Sequence, residues 1–341
     1  MRICAVTNDI CHPLDEGFKK SITAIVQALR GDHDLLVAGA NLEPGLGHNF
    51  CTNRMLLSRR LRREIRLHRP DCLLYLPMSS LTLASFVRAR ILKHYAPASR
   101  SILVGFQPRQ FGPMARRLIP MLSPGIVCVQ SRASAERLRA MGLVARSFRS
   151  GVDAEKFSPV GEGQKRVLRN QLGLPMDRRI VLHVGHLNRS RGLDVVVGLG
   201  GKNTLPVIVG STSTQCDSGY AQELRSRGTY IISAYSPNIE DYFRSADVYV
   251  FPTISVSSAI EFPLSVLEAL ACGVPVLSTR FGALGDFFQD SPWFRFFDNT
   301  AHARQQLTLL LNLSEPERAA MVAQVRERFS WGAVARELLS N

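Results

Sequence analysis

Short, near-continuous apolar runs recur along this chain, separated by stretches with helical periodicity. RICAVT at 2–7, DLLVAG at 34–39, CLLYLP at 72–77, SILVGF at 101–106, GIVCVQS at 125–131 and VARSF at 144–148 form a first series. These runs do not alternate apolar with polar residues. They therefore predict strands buried on both faces, the condition of a parallel sheet covered by helices. Residues 18–29 set Ile22, Ile25, Val26 and Leu29 on one helical face, and 133–140 also reads as helix. At 150–159, SGVDAEKFSP, the alternation pauses in a Gly- and Pro-bounded segment. It restarts with a helix at 165–172, the strand RIVLHVGHL, a helix at 193–199, the strands PVIVG and TYIIS, a helix at 239–244 and the strand VYVFP. Two such series predict an α/β chain of two Rossmann-like domains, 1–150 and 151–341. A ligand cleft between them would face the carboxyl ends of both sheets.

A length of 341 residues suits two domains of roughly 150 residues each. No apolar run approaches the ~20 residues needed to span a bilayer. The start, MRICAVTND, enters a strand directly, without the layout of a secretory signal. The 7 cysteines are scattered and contain no C-x-x-C pair, which argues against a disulfide framework or structural zinc. Together these features predict a cytoplasmic protein.

Charge divides the chain unevenly. Residues 1–150 hold 23 Lys and Arg against 9 Asp and Glu, whereas 151–341 hold 19 of each. The whole net charge of +14 thus belongs to the first half, which is predicted to face something anionic.

Three segments carry candidate chemistry. The first is EFPLSVLEALACGVPVLST at 261–279, where Glu261 and Glu268 flank an apolar helix that ends at Cys272. Gly273 is placed to take the left-handed conformation that terminates a helix, and VPVL reads as a buried strand. A helix bringing carboxylates to a sheet edge suits a ligand site; two solvated glutamates on a surface helix are the plain alternative. The second is HVGHLNRSRGLDVVV at 183–197, where His186, Arg189 and Arg191 cluster between glycines at a strand end. Guanidinium groups there can grip a diphosphate bidentately. The third is the loop NDICHPLDEGFKKS, in which Gly17 stands where backbone N–H groups at a helix start could approach an anion. No G-x-G-x-x-G is present, so a dinucleotide fingerprint is unsupported.

Taken in order, SGVDAEKFSP, HVGHLNRSRGLD, PVIVG, ADVYVFPT, EFPLSVLEALACGVPVLSTRFGAL and the closing FSWGAVARELL resemble family 4 glycosyltransferases of the GT-B fold. The resemblance covers most of the chain. It implies retaining transfer of a sugar from a nucleotide-diphosphate donor, with no essential metal and no cofactor. The C-terminal half would bind donor and the N-terminal half acceptor. By that resemblance Arg191 neutralises the leaving diphosphate, where fixed positive charge lowers the barrier. Glu268 matches the second glutamate of the E-x7-E motif and would accept from ribose hydroxyls. Gly17 matches the N-terminal loop glycine, and Gly185, Phe262 and Leu264 fall among the donor-binding positions.

Three positions depart from the family pattern. Ile260 occupies the place of the first glutamate, and Glu261 lies one residue late, so it would reach the donor sugar only through a shifted loop. His186 stands where the family usually has arginine, which weakens charge neutralisation unless the imidazole is protonated. The histidine often found after the fifth strand is absent from VGFQPRQFGP, leaving Gln107 or Arg109 in its place, with His12 a further candidate.

On the acceptor side, residues 54–69 contain seven arginines against one glutamate. Leu57, Leu61 and Ile65 recur every four residues as one apolar stripe. This segment reads either as a surface helix with solvated charge or as an attachment to an anionic membrane surface. The second reading implies a glycan or lipid-linked acceptor and a peripheral protein on the inner face of the membrane. Nucleic acid fits poorly, because the basic residues do not interleave with aromatics. The departures leave a second function open: a GT-B protein that binds nucleotide or glycan as a partner or scaffold without catalysing.

Overall fold

The computed structural model describes residues 1–340 apart from 13, 15, 51, 52, 108, 211–217, 234 and 235. The chain sorts into two compact units. The first comprises Met1–Ser150, Ala259–Phe262 and Trp331–Asn341; the second comprises Gly151–Ser258 and Pro263–Ser330.

In the first unit the order is β1 (Arg2–Ile10), α1 (Gly17–Asp32), β2 (Asp34–Leu42), β3 (His48–Asn49), α2 (Arg59–His68), β4 (Cys72–Leu76), α3 (Leu83–Tyr95), β5 (Arg100–Gly105), α4 (Pro113–Leu122), β6 (Ile126–Val129), α5 (Arg132–Ala140) and β7 (Val144–Ser147). The strands form one parallel sheet in the order β3-β2-β1-β4-β5-β6-β7. Val6 of β1 pairs with Ala38 on one side and Tyr75 on the other. The chain thus builds outward from β1 in one direction, then returns to build in the other. Right-handed crossovers place α1 on one face and α2–α5 on the opposite face. The core agrees: Leu61 and Ile65 of α2, Phe86 and Leu92 of α3, Ile119 of α4 and Leu138 of α5 share a cluster with Val6, Leu73 and Val127. Leu57 lies outside this stripe. It precedes the N-cap Ser58 of α2 and is 53% exposed, so the predicted stripe shortens to Leu61 and Ile65.

In the second unit the order is α6 (Glu162–Gln171), β8 (Arg179–Gly185), α7 (Asp194–Gly198), β9 (Thr204–Gly210), α8 (Ser218–Ser226), β10 (Tyr230–Ile232), α9 (Ile239–Ser245), β11 (Val248–Phe251), α10 (Leu264–Ala271), β12 (Val276–Ser278), α11 (Leu284–Phe287), β13 (Phe294–Phe296), α12 (Thr300–Leu310) and α13 (Glu315–Arg328). Its parallel sheet runs β10-β9-β8-β11-β12-β13, reversing between β8 and β11. The start of these two strands is locked by Asp247, whose Oδ2 accepts from the Ile180 N–H at 2.7 Å and whose carboxylate pairs with Lys165 at 2.9 Å. Burial works to raise the pKa of Asp247, but Lys165 and Arg169 prevail and hold it below the usual carboxylate value.

α10 buries every residue except Ser265, as expected of a helix that is apolar nearly all round. It ends as its sequence predicts. Gly273 takes φ 79°, its N–H donates to Leu270 O, and the Val274 N–H donates to Ala269 O, so two otherwise orphaned carbonyls are satisfied. The strand that follows is shorter than VPVL, because Pro275 has no N–H to donate to a ladder.

The closing helix α14 (Trp331–Leu339) belongs to the first unit and not to 151–341. It buries Val334, Ala335 and Leu338 and packs against α1. Its terminal carbonyls accept from arginines of the first sheet, Leu338 O from Arg146 of the edge strand β7 at 2.8 Å and Leu339 O from Arg100 at the start of β5 at 2.7 Å. Cations at a helix C-terminus also oppose the negative end of its dipole.

Candidate active site

Ligands of open α/β sheets bind beyond the carboxyl ends of the strands, where the strand order reverses. In the second unit that place is the end of β8 beside β11. β8 stops at Gly185, and an ideal Cβ there would lie 3.0 Å from His183 Nε2 and 3.4 Å from Arg191 Nη1. Glycine is therefore what lets the Arg191 side chain lie over this strand end. The turn beyond is a single 3-10 turn, Arg189–Arg191, closed by Gly192 at φ 69°. Gly192 has a second constraint, since a Cβ would stand 2.7 Å from Pro252 O.

Arg191 is 7% exposed, and its Nε is buried without a hydrogen-bond partner among the described residues. Burial pulls its pKa down to about 10, so the guanidinium stays charged at neutral pH. A charge removed from water with an N–H left over is costly unless an anion completes it. His186 follows β8 directly and is half-buried. Arg189, by contrast, turns away: it pairs with Glu223 at 2.6 Å and lies over the Tyr220 ring. Of the predicted basic cluster, His186 and Arg191 remain at the strand end.

Leu264, Ser265 and Glu268 share one side of α10 by helical spacing. Glu268 is 5% exposed, a buried carboxylate close enough to Tyr249 to raise the phenol's pKa further. Tyr249 donates to Ser265 Oγ at 2.7 Å and stacks on His183, with ring centroids 6.3 Å apart and planes 11° from parallel. His183 is fully buried; its Nδ1–H donates to Val250 O at 2.9 Å, which leaves Nε2 as an acceptor with no partner among the described residues. Burial drives its pKa down to about 3, so it is neutral. His183, Tyr249 and Ser265 were not singled out from the sequence. The available signal was a histidine inside a run otherwise reading as buried strand.

In the first unit the order reverses between β1 and β4, and Gly17 begins α1 just beyond β1. A Cβ on Gly17 would lie 3.0 Å from Ile260 Cδ1, so the residue standing in place of the first family glutamate covers this glycine with an apolar side chain. Gln107, beyond β5, donates its N–H to Ser79 O and accepts from Ser80 Oγ at 3.1 Å. His12 is tied to Glu43 through its backbone N–H at 3.0 Å, and Arg109 is exposed.

Glu261 has a well-defined place. Its N–H donates to Phe106 O at 2.8 Å, and its Oε1 accepts from Ser131 Oγ at 2.6 Å and from the Ser134 hydroxyl. Ser131 is itself the N-cap of α5, so the carboxylate sits at the positive end of that helix. Its Oε2 is buried and has no partner among the described residues. Phe262, fully buried, donates its N–H to Gln130 Oε1 at 3.0 Å. These bonds hold 261–262 to the strand ends of the first sheet. Leu264 and Glu268, a few residues on, belong to the second unit.

Among the described residues, no group of three His, Cys, Asp or Glu side chains could hold a metal ion. No helix among them is long and apolar enough to cross a membrane.

Two parallel-sheet α/β units of this kind define the GT-B fold. The Anabaena protein Alr3699/HepE, solved in complex with UDP, superposes with a TM-score of 0.76 over 99% of this chain and 98% of that one, at 14% identity. A Rickettsia africae glycosyltransferase superposes at 0.78 over 99% of this chain and 98% of that one, at 13% identity. Residues 164–328 match the model of the glycosyl transferases group 1 family. Among relatives in sequence, D-inositol 3-phosphate glycosyltransferase of Mycobacterium leprae is 29% identical over 212 residues, 56% of this chain and 47% of that protein. The chain thus spans about half the length of that relative.

Proposed function

We propose that this protein is a retaining glycosyltransferase that takes a sugar from a nucleoside-diphosphate donor and needs no metal ion. The observation that carries this is Arg191: a buried, charged guanidinium whose Nε has no partner among the described residues, held over a glycine strand end at the topological switch point. As the bond from the sugar's anomeric carbon to the diphosphate oxygen breaks, negative charge collects on the leaving group. Arg191 supplies fixed positive charge where water is excluded, so the charge need not be reorganised during the reaction. Glu268, buried on the neighbouring helix, would accept hydrogen bonds from ribose hydroxyls, with Gly185 and Leu264 lining the donor. His186 would add a second contact to the diphosphate when protonated. The UDP held by the Anabaena protein of the same fold supports a nucleotide donor.

In the first unit Gly17 and Phe262 would contact the donor, and Gln107 and Glu261 the transferred sugar. The acceptor we propose is a glycan or lipid-linked precursor of a cell-surface polysaccharide or glycolipid, met at the cytoplasmic face of a membrane. The support is α2, where Arg59, Arg60, Arg63 and Arg66 are all exposed beside Arg54 and Arg69. Nucleic acid remains a poor fit to this surface.

Arg191→Ala and Glu268→Ala should each abolish most turnover of a UDP-, GDP- or ADP-sugar panel while leaving the melting temperature in place. Wild-type rates in both would overturn the assignment. One observation favours a second reading, a nucleotide- or glycan-binding partner protein without catalysis: Ile260 replaces an acid, and the displaced Glu261 is bonded to Ser131. Thermal stabilisation by nucleoside diphosphates with no donor hydrolysis or transfer would establish that reading instead.

A further inference from the structure

The amino ends of β8 and β9 border a recess that the chemistry above does not use. Arg169, Met176, Asp177, Arg178, Arg179 and Asn203 line it, and its volume is about 390 Å³. Small-molecule sites begin at roughly 300 Å³, so a compact ligand fits. β8 starts here at Arg179 and ends at Gly185, which puts the recess at the opposite end of the strand from Arg191.

Positive charge is concentrated at this place. Residues 151–341 carry 19 basic and 19 acidic residues, so the excess is local. Lys165, Arg169 and Arg179 all pair with the single carboxylate of Asp247, at 2.9, 2.5 and 3.4 Å. Arg178 donates from Nη2 to Gly201 O at 2.8 Å and to Thr204 O at 2.5 Å, and its Nε is buried with no partner among the described residues. Two carbonyls thus hold its guanidinium in place without neutralising it, so an anion meeting it orders little that is not already ordered. Even with Asp177 included, four cations stand against two carboxylates, which suits a doubly charged phosphate.

The other lining groups do not suit a bare anion. The exposed carboxylate of Asp177 repels phosphate but can accept from two hydroxyls, and the exposed Asn203 amide both donates and accepts. Met176, 47% exposed, supplies a soft apolar wall for the C–H side of a small ring. We propose that the recess is a second ligand site that takes a phosphorylated polyol of the sugar-monophosphate class. The phosphate lies on Arg178 and Arg179, and the hydroxyls bond to Asp177 and Asn203. The site shares no residue with the donor site and does not depend on that reading.

Isothermal titration of the full chain with glucose 6-phosphate, inorganic phosphate and glucose tests it. The wild type should bind glucose 6-phosphate best, inorganic phosphate more weakly and glucose not measurably. Arg178→Gln and Arg179→Gln should each weaken glucose 6-phosphate by about tenfold, the worth of one charge-assisted hydrogen bond. If Arg178→Gln unfolds because Gly201 and Thr204 lose their donor, Arg179→Gln decides alone, since that side chain is 59% exposed. Asp177→Ala should tighten inorganic phosphate and weaken glucose 6-phosphate, a reversal that a purely structural role would not produce. Arg191→Met should leave glucose 6-phosphate affinity unchanged, and UDP should not compete with it. No binding of either phosphate, wild-type affinity in Arg179→Gln, or competition by UDP overturns the site. Equal affinity for the two phosphates, unmoved by Asp177→Ala, overturns the polyol. None of these results bears on Arg191 as the donor contact, so the two readings fail separately.

Discussion

Replacing Arg191 by methionine should cost activity and no stability, and the two effects have the same cause. The guanidinium is 7% exposed, and burial lowers its pKa from the ordinary arginine value to about 10. A drop of that size corresponds to about 3 kcal/mol by which the fold disfavours the charged form. From about pH 10 up to the ordinary arginine value, the unfolded chain holds the proton that the folded chain has released. Stability therefore rises with pH across that window, and below it the penalty is present in full. Arg191→Met removes the buried charge and fills a similar volume, so its melting temperature at pH 7 should equal or exceed that of the wild type. Turnover should move the other way. Removing one preorganised stabiliser of developing charge lowers kcat by about 100- to 1000-fold, roughly 3–4 kcal/mol. Stabilisation by a nucleoside diphosphate should shrink with it. The assays are scanning calorimetry with and without UDP or GDP, and single-turnover transfer once a donor is found. A variant that melts well below the wild type would show that Arg191 is a structural ion-pair member. A variant that keeps its turnover would show that it does not face the leaving group.

Three further outcomes are expected. His183, neutral because burial holds its pKa at about 3, favours the fold fully above its ordinary value of 6.5, and this contribution is lost as pH falls from there toward 3; His183→Phe should flatten the acid limb of a melting-temperature profile, and an unchanged limb would place the titration elsewhere. Glu261→Ala strands the Ser131 and Ser134 hydroxyls at the start of α5 and should destabilise by about 2 kcal/mol in urea, whereas Glu261→Gln, which keeps a carbonyl acceptor, should restore most of it. Gly192→Ala combines φ 69° with a Cβ 2.7 Å from Pro252 O, so it should lower stability by about 2 kcal/mol and turnover with it, because the turn that holds Arg191 must move.

The strand–helix alternation was legible because each buried strand and each helical face is encoded within a few residues. The α1 face was read correctly, since Ile22, Ile25, Val26 and Leu29 are all buried. Leu57 was misassigned because periodicity alone does not mark a helix start, whereas the Ser58 hydroxyl accepting from the Leu61 N–H does. The basic turn at 186–191 was visible as composition. Its division, with Arg189 drawn to Glu223 and Arg191 buried, depends on a helix more than thirty residues away.

By itself the sequence determined the parallel α/β architecture, the end of α10 at Gly273 and the candidacy of Arg191 and Glu268. Each of these follows from local backbone needs or short-range spacing. Tertiary structure alone decided that α14 joins the first unit, that Ile260 covers Gly17, and that Glu261 bonds to Ser131 across 130 residues of chain. The reason is physical. Such contacts arise between elements that fold separately and meet only when the sheets form, so they leave no periodic trace in the residues that make them.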